Sequence, residues 1–361
     1  MAWVSETGRP LAARRSEGEA SEPLAEAVEA YILAGPGGSG EAGSALDRAI
    51  ESARHEPRSP HIADAVESLL RYSAREEGAL DRARALVSPG VAALLVARLC
   101  ELQDGGRRSS LLQHLPELGS EIREATLDAL RNPPAQGLPS GGARNALVRL
   151  LGTLARNEPG LLEGLVKDPD WRVVGAVIAI TSERGGDAAV QILTLALTHD
   201  HPRVRRRALV ALRKLGGSEA GELALSSITD HDRSVRAEAA RTVGHLNVER
   251  APKALLERLS TEDHPDVLLA SIDALGELRD PSAVMELERW TEHRTTGERD
   301  FELRSAALRA LHRIGSLRAL HILEEASRDG DPRVQALVEG LRIVESSPRG
   351  PSALKGPPAE D

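Results

Sequence analysis

The sequence predicts an all-α solenoid built from short helix pairs, and three observations lead to that prediction. Apolar residues recur at every third or fourth position almost everywhere between Leu24 and Val344, which is the period of an amphipathic helix. Similar segments return at a nearly constant spacing in the second half of the chain. Only six of the 361 residues are aromatic, so the core must consist of small aliphatic side chains, as stacked thin layers require.

The repeated segment forms the first helix of each repeat unit. Copies with an Asp-rich start cover residues 168–180, 200–216, 230–246, 263–278 and 331–341, and a further copy without that start covers residues 301–315. The anchor apolar residues are Val173, Val204, Val235, Val267, Leu303 and Val334. They are separated by 31, 31, 32, 36 and 31 residues, a period that indicates one supersecondary unit repeated along the chain.

A second helix follows each first helix. The predicted second helices cover residues 187–198, 218–229, 250–260, 281–293 and 317–328. Three carboxylates, Asp170, Asp232 and Asp331, precede their anchors by three residues, where they can cap the next helix. Proline at the first helical position costs no hydrogen bond, so Pro202, Pro265 and Pro332 are expected to begin their helices.

Weaker copies of the pattern extend towards the N-terminus. Residues 107–130, 143–157 and 160–167 continue the helix pairs, which gives eight pairs from about residue 90. Helices without the anchor motif are expected at residues 22–34, 44–54, 60–76 and 78–87. The predicted domains are a disordered tail (1–21), a helical N-terminal region or cap (22–89), the repeat solenoid (90–346) and a second disordered tail (347–361).

The motif D-x-x-[VL]-R-x-x-A-x-x-A-L-x-x-[LI]-G resembles the HEAT repeat, in the short form found in the phycobilisome-lyase HEAT-like group. The resemblance covers residues 170–346 well and residues 90–169 loosely. It implies a right-handed superhelix whose second helices line the inner surface, with roles in scaffolding and, in some members, catalysis. The motif is specific for the fold and says little about function.

Charge and composition restrict the partners and the compartment. The formal net charge is −9, which disfavours non-specific binding to nucleic acid. A single cysteine, Cys100, excludes an intramolecular disulfide framework, and it is expected to be a small core hydrophobe. Arg14 and Arg15 are followed by a polar, acidic stretch, so we expect no secretory signal. The longest clearly apolar stretch, residues 173–180, is too short to span a membrane, and we expect a cytoplasmic protein.

The sequence gives little support for an enzymatic function. The predicted turns contain a recurring set of imidazoles and carboxylates, His199, Asp200, His201, Asp230, His231, Asp232, Asp263 and His264. Turns of neighbouring units lie too far apart to share one metal ion, so helix capping is the expected role of these residues. The resemblance includes di-iron hydroxylases, which use pairs of adjacent His and Glu residues. Outside the repeats, this chain has only one such pair, His55 and Glu56. We therefore predict no catalytic residue, no metal ligand and no cofactor.

One helix departs from the acidic average. Residues 202–215 carry six basic side chains and no acid, and Arg203, Arg206 and Arg213 are expected to share an exposed side. The predicted buried stripe of this helix is Val204, Ala208, Ala211, Leu212 and Leu215. The basic patch predicted to bind a partner consists of Arg203, Arg206, Arg207, Arg213, Lys214, Arg233 and Arg236.

Two interpretations of the basic patch remain open. It is either a docking site for an acidic partner, since arginine recognises carboxylates bidentately, or a solvated face. In the second case Arg205 and Arg236 pair with turn aspartates of neighbouring units.

The predicted function is a non-catalytic protein–protein interaction scaffold or adaptor. The predicted partners are proteins, with no membrane partner and no small-molecule substrate. One alternative is an enzyme, or an accessory subunit of an enzyme, of the bilin-lyase HEAT type. The other is nucleic-acid binding through the arginines of the basic patch. Two stretched places, residues 132–142 and 294–300, are expected on one edge of the solenoid, where binding loops often lie.

Overall fold

The computed structural model describes residues 22–36, 39–53, 60–103, 105–133, 142–292 and 298–346. Within these residues the chain forms twenty α-helices and no β-strand. The predicted all-α solenoid class is therefore confirmed, while the right-handed superhelix stays a prediction. The chain divides into two compact units, Met1–Ile180 and Thr181–Asp361.

The first unit consists of helices that pack in pairs along the chain. These helices are α1 (Glu22–Ala34), α2 (Ser39–Ala53), α3 (Pro60–Ser73), α4 (Glu77–Leu86), α5 (Pro89–Glu101), α6 (Gly106–His114), α7 (Ser120–Arg131), α8 (Gly142–Asn157), α9 (Leu161–Leu165) and most of α10 (Trp171–Arg184). Helix α1 packs on α2 and α3, and α3 packs on α4 and α5. The region predicted as a cap thus contains the four helices expected there, and the domain boundary at residues 89 and 90 stays a prediction.

The second unit contains the regular repeats. Its helices are α11 (Asp187–Leu197), α12 (Pro202–Leu215), α13 (Ser218–Ser226), α14 (Arg233–His245), α15 (Ala251–Thr261), α16 (Pro265–Leu278), α17 (Val284–Thr291), α18 (Glu298–Ile314), α19 (Leu317–Ala326) and α20 (Pro332–Ser346). The first helices α12, α14, α16 and α18 pack on one another in series, and each second helix packs on the first helix that follows it. The predicted second helices agree with these bounds to within a few residues.

Local signals fix the helix starts as predicted. Pro202, Pro265 and Pro332 are the first residues of α12, α16 and α20. Asp232 caps α14, because its Oδ1 accepts the backbone N–H groups of Ser234 at 2.8 Å and Val235 at 3.3 Å. Asp170 and Asp331 accept equivalent N–H groups from Arg172 at 2.7 Å and Arg333 at 2.9 Å.

Small residues let neighbouring first helices approach closely in the second unit. A Cβ added at Gly244 on α14 would lie 2.8 Å from the Cα of Ala274 on α16. A Cβ added at Gly276 on α16 would lie 2.7 Å from the Cα of Ala310 on α18. Both distances are shorter than non-bonded carbons allow, so these helices meet backbone to backbone.

Arg82 joins three helices of the first unit. Its guanidinium donates to both carboxylate oxygens of Asp47, at 2.8 and 3.1 Å, and to the hydroxyl of Tyr31 at 2.9 Å. The ring of Tyr31 meets that of Tyr72 edge to face, with centroids 5.6 Å apart. Cys100 is half-buried and not in the core as expected, and burial raises the pKa of its thiol.

Some predictions fall on residues outside the described ranges. These are the two tails, the pair His55 and Glu56, and most of the stretched places at 132–142 and 294–300. Among the described residues, no single helix has both the length and the apolar character needed to cross a membrane. Two consecutive helices, Gly78–Leu86 and Pro89–Glu101, have that length and apolar composition only when taken together, and a bend of 106° separates them.

Candidate protein-binding surface

The turn before α14 is shaped by two carboxylates two residues apart. Asp230 Oδ1 accepts the backbone N–H of Asp232 at 2.8 Å, and Asp232 in turn caps α14. The same arrangement recurs at Asp168 and Asp329, each of which accepts the N–H two residues further along at 2.8 Å. In the turn before α12 an imidazole takes the place of the carboxylate, because His199 Nδ1 accepts the N–H of His201 at 2.9 Å.

Arginines one position after the anchor valines bridge these turns. Arg205 Nε and Nη2 each donate to a carboxylate oxygen of Asp230 at 2.8 Å, and Nη1 donates to the carbonyls of His199 and Asp200. Arg205 is only 5% exposed. This arginine bridge confirms the pairing of Arg205 with a turn aspartate of the next unit, which the sequence suggested as one interpretation.

A second arginine bridge of the same kind starts from α14. Arg236 donates to both oxygens of Glu262, at 2.8 and 3.0 Å, and to the carbonyls of Asp230 and His231. The partner acid is a glutamate and not the aspartate that the sequence suggested. The structure thus gives Arg236, one of the seven residues of the predicted basic patch, internal partners on all three guanidinium nitrogens.

The bridges lower the pKa of the acids that they engage. Burial alone would raise the pKa of Asp230, but hydrogen bonds from Arg205 and the backbone of Asp232 outweigh it, so the pKa lies below its usual value. The pKa of Glu262 is also lowered. Burial would raise it, but hydrogen bonds from Arg236 and from the backbone N–H of His264 outweigh burial. These acids are therefore ionised throughout the neutral range.

The outer face of α12 carries the other basic residues. Arg203, Arg206 and Lys214 are exposed, while Arg207 and Arg213 are half-buried. Val204, Ala208, Ala211 and Leu212 are buried as predicted, whereas Leu215 is only half-buried. Val210, which the predicted patch did not include, is 41% exposed on this basic face. The spacing of 206, 210 and 214, one helical turn at each step, was the signal that could have identified it.

A glutamate ties α12 to α14 beneath this face. Glu238 is 8% exposed, and its Oε1 lies 2.8 Å from Arg213 Nη1. Its Oε2 lies 3.6 Å from an Nη atom of Arg241, which is itself exposed. Arg213 is therefore part of an internal ion pair and is less exposed than Arg203 and Arg206. The structure also places Arg241 next to the predicted patch.

The last predicted residue, Arg233, belongs to a different place. It is exposed at the start of α14, where its guanidinium contacts the imidazole of His264. Together with Asp232, Arg258 and Glu262, these two residues line an open cleft of about 780 Å³ between two turns. The seven predicted residues thus separate into a group on α12 and a group, Arg233 and Arg236, at the turn edge.

The imidazoles and carboxylates of the turns have structural roles. His201 Nδ1 accepts the N–H of Arg203 at 3.1 Å, so this imidazole caps α12 as aspartate caps α14. Within the described ranges, no three side chains of His, Cys, Asp or Glu come close enough together to hold a metal ion.

Sequence comparison identifies the repeat. The model of a family described as HEAT repeats matches residues 127–213, 158–242, 193–276, 221–299 and 252–342, which overlap to cover 127–342. A search among curated proteins finds no match.

Several solved structures are similar to this chain. One is an engineered protein with 17% identity and a TM-score of 0.40, covering 92% of this chain and 97% of that one. Another is Kap121p bound to Pho4p, with 12% identity and a TM-score of 0.44, covering 89% of this chain and 40% of that one. A third is human deoxyhypusine hydroxylase in complex with glycerol, with 17% identity and a TM-score of 0.31, covering 82% of this chain and 97% of that one.

Proposed function

The chain belongs to the HEAT-repeat family, and from that premise we propose that it is a non-catalytic scaffold or adaptor that binds other proteins. Stacked helix pairs present a long surface on which partners can dock, and each pair contacts only its neighbours. The repeat length of about 31 residues supports the short form of the repeat that the phycobilisome-lyase group uses.

The observation that carries this proposal is the basic outer face of α12. Five basic side chains lie along one helix of a chain whose formal net charge is −9. Local excess charge of this kind favours encounter with a partner of opposite sign. The arginine bridge from Arg205 ties α12 to the turn before α14 and leaves the outer face of α12 open to a partner.

The proposed partners are proteins with an acidic surface, and the proposed compartment is the cytoplasm. Within the basic patch, Arg203, Arg206, Arg207, Arg213 and Lys214 on α12 form the contact surface. Arg233 extends the patch to the turn edge, where Arg236 stabilises the turn through Glu262.

Affinity capture from the native cell with the full chain as bait tests the scaffold role. The variant Arg206→Glu/Lys214→Glu changes two exposed residues and leaves the Glu238 ion pairs intact. We expect the wild-type chain to retain specific proteins and this variant to lose most of them. The control Arg289→Glu/Arg328→Glu makes the same charge change at side chains 76% and 73% exposed, and it should retain them.

Two other results would contradict the proposal. Retention of nucleic acid in place of protein would favour the nucleic-acid alternative. Absorbance above 350 nm in the purified chain would indicate a bound chromophore, as the bilin-lyase alternative requires.

A further inference from the structure

Val210 is an apolar side chain among cations on the exposed face of α12. It is 41% exposed, one turn after Arg206 and one turn before Lys214, with Arg213 on the same side of the helix. An exposed aliphatic side chain by itself is common on protein surfaces. Here it is the one apolar residue in a stripe that otherwise consists of basic side chains.

A fourth cation comes from the neighbouring helix. Arg241 on α14 follows the anchor Val235 by six residues, as Val210 follows Val204, so the two residues occupy the same register on adjacent first helices. Glu238 lies 2.8 Å from Arg213 and 3.6 Å from Arg241, which holds both guanidinium groups at the junction of α12 and α14. Val210 is therefore bordered by cations along its own helix and across this junction.

The charge of this surface is not balanced locally. Glu238 lies between Arg213 and Arg241 and is mostly buried, so it offsets the four cations Arg206, Arg213, Lys214 and Arg241 only in part. An acidic border begins on α16, where Glu277 Oε2 would lie 2.9 Å from a Cβ added at Gly244. The positive surface thus lies on the exposed faces of α12 and α14, and Glu277 limits it on the α16 side.

We propose that this surface, named the Val210 site, binds an acidic protein segment that places one apolar side chain on Val210 and carboxylates on the surrounding cations. This inference rests on the proposed scaffold function and specifies the partner. Protein interfaces commonly combine an apolar centre with a polar rim. A nucleic acid would leave Val210 against phosphates, and the Val210 site offers no aromatic side chain for a base to stack on.

A defined peptide pair tests the Val210 site on the full-length protein. The probe is a short fluorescein-labelled peptide of alanine and glutamate with one central leucine, and its partner has serine in place of the leucine. We expect saturable binding of the leucine peptide, with ~5-fold weaker binding of the serine peptide because the apolar contact is lost. Both affinities should fall as salt is raised.

Three variants separate the parts of the Val210 site. Val210→Ser retains every charge, and serine and valine have similar helix propensities, so folding should be unaffected. In this variant the two peptides should bind equally. Arg206→Glu/Lys214→Glu should weaken the leucine peptide by about 10-fold or more at low salt. The charge-matched control Arg289→Glu/Arg328→Glu should bind it as the wild type does.

Several outcomes would overturn the Val210 site. One is equal binding of both peptides to the wild type, and another is unchanged leucine preference in Val210→Ser. Equal weakening in the control variant would mean that net charge alone attracts the peptide. An oligonucleotide of the same charge that binds more tightly, with the same dependence on Arg206 and Lys214, would show that the surface selects phosphates.

Failure here is distinguishable from failure of the scaffold role. If the full chain captures proteins from the cell but does not prefer the leucine peptide, partners bind another surface. Only the proposal of the Val210 site is then wrong. If the peptide preference holds while capture recovers no protein, the Val210 site has a binding activity but the scaffold role is wrong.

Discussion

Arg205 on α12 and Asp230 in the turn before α14 join through two parallel hydrogen bonds of 2.8 Å, Nε to Oδ2 and Nη2 to Oδ1. The Arg205 side chain is 6% exposed and that of Asp230 is 11% exposed, so this ion pair is largely removed from water. Removing one partner of such a pair lowers the free energy of unfolding by more than the pair itself contributes, because the remaining charge stays buried without a counter-ion.

We therefore expect Arg205→Ala to lower the free energy of unfolding by about 3 kcal/mol. Arg205→Lys should recover part of that loss, because lysine keeps the charge but lacks the planar fork that reaches both oxygens. Urea denaturation followed by circular dichroism measures both changes. Arg250→Ala is the control, since Arg250 is 78% exposed and its pair with Glu222 should contribute less than about 1 kcal/mol. Equal losses in Arg205→Ala and the control would contradict a structural role for the bridge.

The lowered pKa values of Asp230 and Glu262 predict how stability depends on pH. A carboxyl whose pKa is lower in the folded state stabilises the fold above its unfolded pKa, about 3.9 for Asp and 4.3 for Glu. That contribution is lost as the pH falls through the folded-state pKa. Melting temperatures should thus be insensitive to these two groups from pH 7 to about 5 and should fall below about pH 4.

The variant Asp230→Asn checks the origin of this acid sensitivity. It should be less stable than the wild type at neutral pH, and the difference should shrink as the wild-type carboxyl becomes protonated. A difference that stays constant down to pH 3 would show that ionisation of Asp230 is not involved.

The close approach of first helices predicts that two glycines are required. Gly244→Ala and Gly276→Ala would each drive a Cβ against a backbone Cα of the next first helix, at 2.8 and 2.7 Å. Overpacking of this kind typically costs about 1–3 kcal/mol, which calorimetry would detect as a lower melting temperature. Gly340→Ala in α20 is the matched control, because nothing lies within 4 Å of its Cβ. That change should stabilise by about 0.5–1 kcal/mol, the usual difference between alanine and glycine inside a helix.

Gly43 and Arg82 are predicted to be energetically coupled. A Cβ at Gly43 would lie 2.9 Å from Arg82 Nη2, one of the two nitrogens that donate to Asp47. Gly43→Ala should therefore destabilise the wild-type chain by about 1 kcal/mol through the displaced guanidinium. In an Arg82→Ala background the same change should be neutral or stabilising, since the clash no longer exists. Additive losses in the double variant would show that the two residues act independently.

Much of the fold follows from local sequence signals. Asp232 and Pro202 fix helix starts through capping and a preset backbone angle, and such signals need no knowledge of the neighbouring helix. The anchor valines repeat at the period of the unit, so the stacking of first helices was also predictable. The approach of Gly244 to Ala274 was not, because it depends on how tightly two helices cross.

The candidate site was less predictable for a similar reason. Sequence spacing places Arg206 and Arg213 on one side of α12, but it does not show that Glu238 from the next helix reaches Arg213. The sequence suggested an aspartate as the partner of Arg236, yet Glu262, 26 positions later, is the acid that accepts from its Nε and Nη2. Long-range pairing of this kind depends on the register between turns, which a single helix pattern does not contain.

The acids of the arginine bridges serve two repeats at once, because Asp230 both shapes the turn before α14 and holds a guanidinium from α12. Loss of order around Asp230 and α14 would leave Arg205 buried without its counter-ion, so we expect neighbouring repeats to unfold cooperatively. Fraying from an end should then proceed in steps of whole repeats. Hydrogen exchange would show this as common protection of the amides around Asp200 and Asp232, and independent rates would argue against such coupling.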